Sequence, residues 1–240
     1  MVRDRETILM IKLQGVEKSY EQGRVQALRG ISLSVERAES VALMGPSGCG
    51  KSTLLNLLGA LDDADRGRIL IAGRPLESYR PFHRYRRDMV GFVFQFHHLI
   101  ASLSLLENVL LPLQSTPVPV AERRQRALDL LEQMALSHRV DFRPNDVSGG
   151  ERQRAAIARA LINHPAIVLA DEPTGNLDSA TGSKVMRFLL EHAAQRQATV
   201  LVATHNEEIA ALCDRNLKML DGGLPDVKTD RSLDEADQIS

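Results

Sequence analysis

Gly45-Pro46-Ser47-Gly48-Cys49-Gly50-Lys51-Ser52-Thr53 is the stretch on which the reading of this chain turns. A glycine, four residues and then Gly-Lys-Ser is the pattern of a loop that wraps its own amides around phosphate groups. Val41-Ala42-Leu43-Met44 precedes it, a short apolar run suited to a buried parallel strand. Leu54, Leu57, Leu58 and Leu61 follow at helical spacing, which predicts a helix from Lys51 to Leu61. Strand, loop and helix are the setting that such a loop requires. Its glycines let successive N–H groups turn inward. The helix end adds free N–H groups and a partial positive charge. Lys51 can then reach the β- and γ-phosphates, and the Ser52 hydroxyl can ligate Mg²⁺.

Two more stretches gain meaning beside the first. Ile167-Val168-Leu169-Ala170 is an apolar strand that runs into Asp171 and Glu172. Alone, two acids at a strand end read more readily as loop caps than as a functional pair. Next to a phosphate loop, Asp171 is placed to hold Mg²⁺ and Glu172 to orient and deprotonate an attacking water. Ser148-Gly149-Gly150 stands before a helix expected from about Glu151 to Asn163, so its N–H groups form a second anion site. A single nucleotide does not obviously need both.

Outward from these motifs the chain alternates. Ile8 to Leu13 and the residues Ile31, Leu33 and Val35 read as strands, as do Arg68 to Ala72 and Val90 to Phe94. The middle turns helical over Leu105 to Leu113 and Ala121 to Leu136, where Ala127, Leu130, Leu131 and Met134 make one apolar face. Arg123, Arg124 and Arg126 read as its solvated side, and Ser115 to Pro119 as a loop. Beyond Glu151 the rhythm returns: a strand Ala166 to Ala170, a helix Ser179 to Ala194 and a strand Thr199 to Ala203. This is an α/β pattern with a mainly parallel sheet covered by helices. From Gly222 to Ser240 the chain is polar and aperiodic, as in a loose tail.

Composition narrows the classes. Of 240 residues 43% are hydrophobic and 25% charged, which supports a real core and excludes a disordered chain. Thirty basic against 31 acidic side chains give no global basic field, so nucleic acid is not an expected partner. Two cysteines, Cys49 and Cys213, fit a reducing compartment. No signal-peptide pattern opens the chain. No apolar run is long enough to span a bilayer, so a membrane role would be peripheral.

Ser148-Gly149-Gly150-Glu151-Arg152-Gln153, lying between the other two motifs, resembles the signature of the ATP-binding cassette (ABC) ATPases. That resemblance spans about residues 8 to 224. It implies a P-loop NTPase core with an N-terminal antiparallel β region and an inserted helical subdomain. It further implies that residues 1–240 form one nucleotide-binding domain, with 8–95 and 160–224 as the core, 96–159 as the helical subdomain and 225–240 as the tail. Tyr20 matches the aromatic that stacks on adenine, and Gln95 the glutamine that senses Mg²⁺. Asp178, in Asn176-Leu177-Asp178, matches the loop that communicates across a dimer, and His205 the switch histidine of the γ-phosphate. Gly91 to Gln95, Leu106 to Pro112 and Ala170 to Asp178 are similar to the lipoprotein-releasing and macrolide-exporter group (LolD/MacB-like). Val147, Ala38 and Phe96-His97-His98 depart from the usual residues.

The resemblance implies an ATPase that works with ATP and Mg²⁺ as an ATP-dependent dimer with a second copy of itself. An integral-membrane permease would hold it at the cytoplasmic face of the inner membrane, for export, extrusion or mechanotransmission. A soluble assembly or repair ATPase is the alternative, and a non-catalytic regulatory binder is a further one. Against the last stand Lys51, Asp171, Glu172 and His205, all present; against the repair form stands the lack of sustained heptads.

Overall fold

The structure, a computed structural model, describes residues 9–225. Five parallel strands make the central sheet: β6 (Val90–Val93), β7 (Ile167–Asp171), β8 (Thr199–Thr204), β3 (Ser40–Met44) and β9 (Arg215–Lys218), side by side in that order. Period-two alternation sorts their side chains between two cores. Ile167, Leu169, Leu201 and Ala203 join the core around helix α1 (Lys51–Leu58). Val168, Ala170, Val200 and Val202 face the other core, with α3 (Leu105–Leu110), α4 (Val120–Gln133), α5 (Gly149–Leu161) and α6 (Ser179–Gln195). Burial on both faces is why these strands read as unbroken apolar runs.

A second, antiparallel sheet closes the α1 core from its far side. Its order is β2 (Val25–Glu36), β1 (Leu9–Tyr20), β4 (Arg66–Ile71) and β5 (Arg74–Pro75). Strand β1 runs to Tyr20, well past the expected stop at Leu13. Antiparallel strands tolerate a polar face, and register shifts between Leu13 and Lys18 break the alternation that would have revealed it. Ile8, where the strand was expected to start, lies outside the described residues.

Other boundaries differ from expectation, three of them with a visible cause. Helix α1 stops at Leu58, not Leu61: a Cβ at Gly59 would collide with the Phe92 ring, Ala60 turns left-handed at φ 51°, and Leu61 is exposed. Helix α5 begins at Gly149, two residues early, because Ser148 and Glu151 cap each other reciprocally. Gly222 is not part of a loose tail; its N–H donates to Cys49 O at 3.1 Å, and its carbonyl accepts from Arg29 N at 2.8 Å. The remainder of that expected tail, 226–240, lies outside the described residues. Arg123 is also not simply solvated: its guanidinium donates to Thr116 O at 2.7 Å and closes the proline loop. Helices α2 (Phe82–Met89) and α7 (Glu207–Ala210) and strands β5 and β9 were not foreseen. No helix among the described residues is long and apolar enough to cross a membrane.

Candidate active site

Parallel strands put their C-terminal ends on one edge, and that edge is where the motif residues meet. β3 delivers the phosphate loop, β6 leads to Gln95, β7 ends at Asp171 and Glu172, and β8 leads to His205. Ser47, Gly48 and Gly50 to Thr53 join Gln95, Asp171, Glu172 and His205 around one cavity of about 560 Å³. That lies within the roughly 300–1,000 Å³ of small-molecule sites.

The loop needs its glycines for close packing. A Cβ at Gly45 would collide with the Met219 carbonyl, and one at Gly50, held at φ 103°, with the Ala27 carbonyl. Because Gly50 occupies the N-cap of α1 without a side-chain cap, the first N–H groups of that helix stay open toward the cavity. Lys51 is buried; its Nζ donates to Gly45 O at 2.7 Å and Pro46 O at 2.9 Å. The ammonium thus points into the loop's own cradle. Pro46 supplies that carbonyl, and Cys49 packs inside the loop with its Sγ 3.8 Å from the same Nζ.

Opposite the loop stand the two acids. Burial raises the Asp171 carboxyl above its ordinary range, a hydrogen bond with Ser52 pulls it back, and the nearby Glu172 charge raises it further. Glu172 adopts the left-handed conformation at φ 44°, an uncommon setting for a non-glycine residue, and its N–H donates to Ala203 O at 2.9 Å. Both carboxylate oxygens are engaged by the end of β8. Oε1 meets His205 Nδ1 at 2.8 Å, and Oε2 accepts from Thr204 Oγ1 at 3.4 Å. Thr204 was not foreseen as an orienting residue, since nothing distinguishes it from any strand-end threonine.

Besides Gly45, Pro46 and Cys49 within the loop itself, five expected binding positions, Tyr20, Ser148, Gly149, Gly150 and Asp178, lie away from the cavity wall. Tyr20 stands beyond its rim, beside Thr53, with its hydroxyl bonded to Asp62 Oδ2 at 2.9 Å. Ser148, with Gly149 and Gly150, opens α5 elsewhere on the surface; its Oγ accepts from Glu151 N at 3.2 Å, and its N–H donates to Glu151 Oε2 at 2.8 Å. Asp178 caps α6 by accepting from Thr181 N at 3.0 Å, and that N–H holds its carboxyl below the usual range. Asn176 donates to Gln95 O at 3.2 Å, tying the loop after β7 to the loop after β6.

The residues around Ser52 suit a magnesium ion. Asp171, Glu172, the Ser52 hydroxyl and Gln95 offer oxygen to a cavity whose one lysine is already directed at the phosphate cradle. No cluster of three His, Cys, Asp or Glu side chains occurs among the described residues. Magnesium needs none, since it is commonly bound by one or two carboxylates together with substrate phosphates and water.

Comparisons with known proteins show the family and the fold. The ABC transporter family profile matches residues 28–175. The lipoprotein-releasing system ATP-binding protein LolD of Paramagnetospirillum magneticum is 44% identical over 221 residues, covering 90% of this chain and 98% of that protein. LolD of Bacteroides thetaiotaomicron is 41% identical over 215 residues, covering 89% and 98%. Among solved structures, the ATP-binding cassette MJ0796, a dimer in a post-hydrolysis state bound to ADP and Pi, superposes with a TM-score of 0.84 at 42% identity, over 90% of this chain and 96% of that one. CbiO1 of Clostridium perfringens, part of the transporter complex cbiONQ, gives 0.80 at 30% identity, over 90% and 86%. A phosphate loop, a strand-end acid pair and a capped Ser-Gly-Gly helix on this fold therefore place the chain in the ABC transporter family, as an ATP-binding and ATP-hydrolysing subunit.

Proposed function

We propose that this chain is the LolD-like energising subunit of a membrane machine. It would be held at the cytoplasmic face of the inner membrane by an integral permease and work as an ATP-dependent pair with a second copy of itself. The observation that carries this is the separation of two anion-binding helix ends. The phosphate loop opens the cavity, whereas Ser148, Gly149 and Gly150 lie outside its wall. A second copy that brings its Ser148 segment to the cavity mouth would complete the site, with Asp178 on the seam. The relatives named LolD favour a transporter subunit over a soluble assembly ATPase.

The geometry supports the following division of labour. Lys51 and the open N–H groups of α1 bind the β- and γ-phosphates. Ser52, Asp171 and Gln95 would hold Mg²⁺, which when bound neutralises developing phosphate charge. Glu172, fixed by Thr204 and His205, orients a water and takes its proton. His205, exposed at the mouth, would exchange its contact with Glu172 for one with the terminal phosphate. Tyr20 stacks on the adenine. On this reading residues 96–159 form the helical subdomain that presents Ser148 to the other copy and meets the permease.

Purification of the full chain from detergent-solubilised membranes tests the proposal. A permease subunit in fixed ratio, and ATP hydrolysis that changes when it is removed, are the expected results. Full-rate hydrolysis by a chain that carries no membrane protein would favour the soluble alternative.

A further inference from the structure

Tyr20 would be a poor platform if it were free to turn. Tyr20 is about a third exposed at the end of β1, so packing alone holds its ring only in part. The hydroxyl supplies what packing does not. Oη donates to Asp62 Oδ2 at 2.9 Å, while Asp62 Oδ1 accepts from Lys18 Nζ at 2.7 Å and from Asp63 N at 2.8 Å. The Lys18 amine is itself 11% exposed at its side chain, donates to Asp63 O at 2.8 Å, and lies 5.2 Å from the Tyr20 ring centroid. Asp65 steadies the same turn by accepting from Ser19 N and Oγ, both at 2.6 Å.

From this network we infer that Asp62 is the positioning residue of the adenine platform, fixing the Tyr20 ring relative to the phosphate loop. Asp62 lies four residues beyond the end of α1, the helix that Lys51 begins. Tyr20 is therefore tied through Asp62 to the turn beyond the far end of the element whose near end carries the phosphate loop's lysine. Base platform and phosphate cradle are thus joined through α1 and the turn that follows it. An ordered ring avoids immobilising a rotamer when the base arrives, so the anchor acts on nucleotide affinity and not on chemistry. Ionisation suits the role. Burial opposes charge on Asp62, but the bonds from Lys18, Tyr20 and Asp63 outweigh it and hold the carboxyl below its usual range. Burial and the Asp62 bond push the Tyr20 phenol up, so it stays a donor.

This inference rests on the reading of Tyr20 as the adenine-stacking residue, and the test separates the two. Steady-state ATP hydrolysis by the full chain is measured alongside inhibition by tripolyphosphate, which has phosphates and no base. Asp62→Ala should raise KM for ATP about three- to tenfold, the effect of one ordering hydrogen bond, with kcat within twofold and tripolyphosphate inhibition unchanged. Asp62→Asn keeps an acceptor for the phenol and should recover most of the loss. In a Tyr20→Ala background, Asp62→Ala should add nothing. If Tyr20→Ala leaves KM for ATP untouched, the adenine reading falls. If Tyr20→Ala raises KM while Asp62→Ala does not, or if the two effects add, or if tripolyphosphate weakens in step with ATP, Asp62 is not the positioning residue.

Discussion

Helices α1 and α5 both aim an N-terminus at solvent, yet the two ends are built in opposite ways. At α1 the N-cap is Gly50 in the left-handed region, with no side chain to cap the helix and no acid in the first turn. The free N–H groups are left for a ligand, and Lys51 beside them is buried in the same loop. At α5 the cap is Ser148, which closes a reciprocal box with Glu151, so the helix satisfies two of its own donors and carries a negative charge in its first turn. The difference teaches which end can act alone. The first has open donors, a cation and the two carboxylates Asp171 and Glu172 around one cavity. The second keeps the N–H groups of Gly149 and Gly150 and little else, so it can add to a phosphate site but cannot make one.

Removing Lys51 strikes the self-sufficient end and should have the largest effect. Lys51→Ala takes away the loop's one side-chain cation, so ATP binding should weaken and turnover vanish, with kcat/KM down by about 10³ or more from binding and transition-state losses together. ATP hydrolysis at the unmodified rate would break the site assignment. Glu172→Gln sharpens the same end by separating binding from chemistry. The amide keeps the contacts to Thr204 and His205 but cannot accept a proton, so hydrolysis should fall about 10²–10⁴-fold. ATP affinity should stay near normal, and an ATP-bound dimer should accumulate in sedimentation. Loss of ATP binding in Glu172→Gln would make the residue structural and overturn the division between Asp171 and Glu172.

How far these two ends could be read in advance also differs. The phosphate loop was legible because its demands are local: each glycine answers to a backbone that must bend within nine residues. The strands behind it were legible because burial on both faces makes an apolar run. Helix α5 starts two residues before the expected Glu151, since glycines suggest a turn unless the Ser148–Glu151 box is weighed against them. Helix α2 hides because it buries only Tyr85, and β9 because only Leu217 of its residues is buried. Asp62 was illegible: a partner 42 residues away in the chain leaves no pattern around Tyr20.

Ser148→Ala probes the dependent end. A helix cap is worth about 1 kcal/mol, which for a chain of this size lowers Tm by roughly 2–4 °C. The monomer's ATP affinity should stay within twofold, because the residue lies outside the cavity wall. Dimerisation induced by ATP in a Glu172→Gln background should weaken. If instead Ser148→Ala lowers ATP affinity in the monomer, the two helix ends serve one site within a single chain and the comparison fails.

The smallest effect concerns the charge that α5 carries and α1 does not. Bonds from Ser148 hold the Glu151 carboxyl below its ordinary range, against burial and with help from Arg139, so at neutral pH the acid is ionised. A folded-state value below the unfolded one contributes stability above the unfolded range and loses it as pH falls through the folded value, so the cap weakens only in acid. On the proposed pairing, that same charge would face the ATP phosphates of the second copy at neutral pH and oppose them. Glu151→Gln keeps a side chain able to close the capping box, so Tm should move by about 1 °C or less. Removing the repulsion should tighten ATP-dependent dimerisation about two- to fivefold at low ionic strength, the scale of one charge at a helix end. The gain should shrink toward nothing at about 0.5 M salt, where exposed charges are screened within a few ångströms. A dimer that weakens on this substitution would mean that Glu151 makes a favourable contact across the seam. The self-capped end would then take part in binding through its side chain and not only through its backbone.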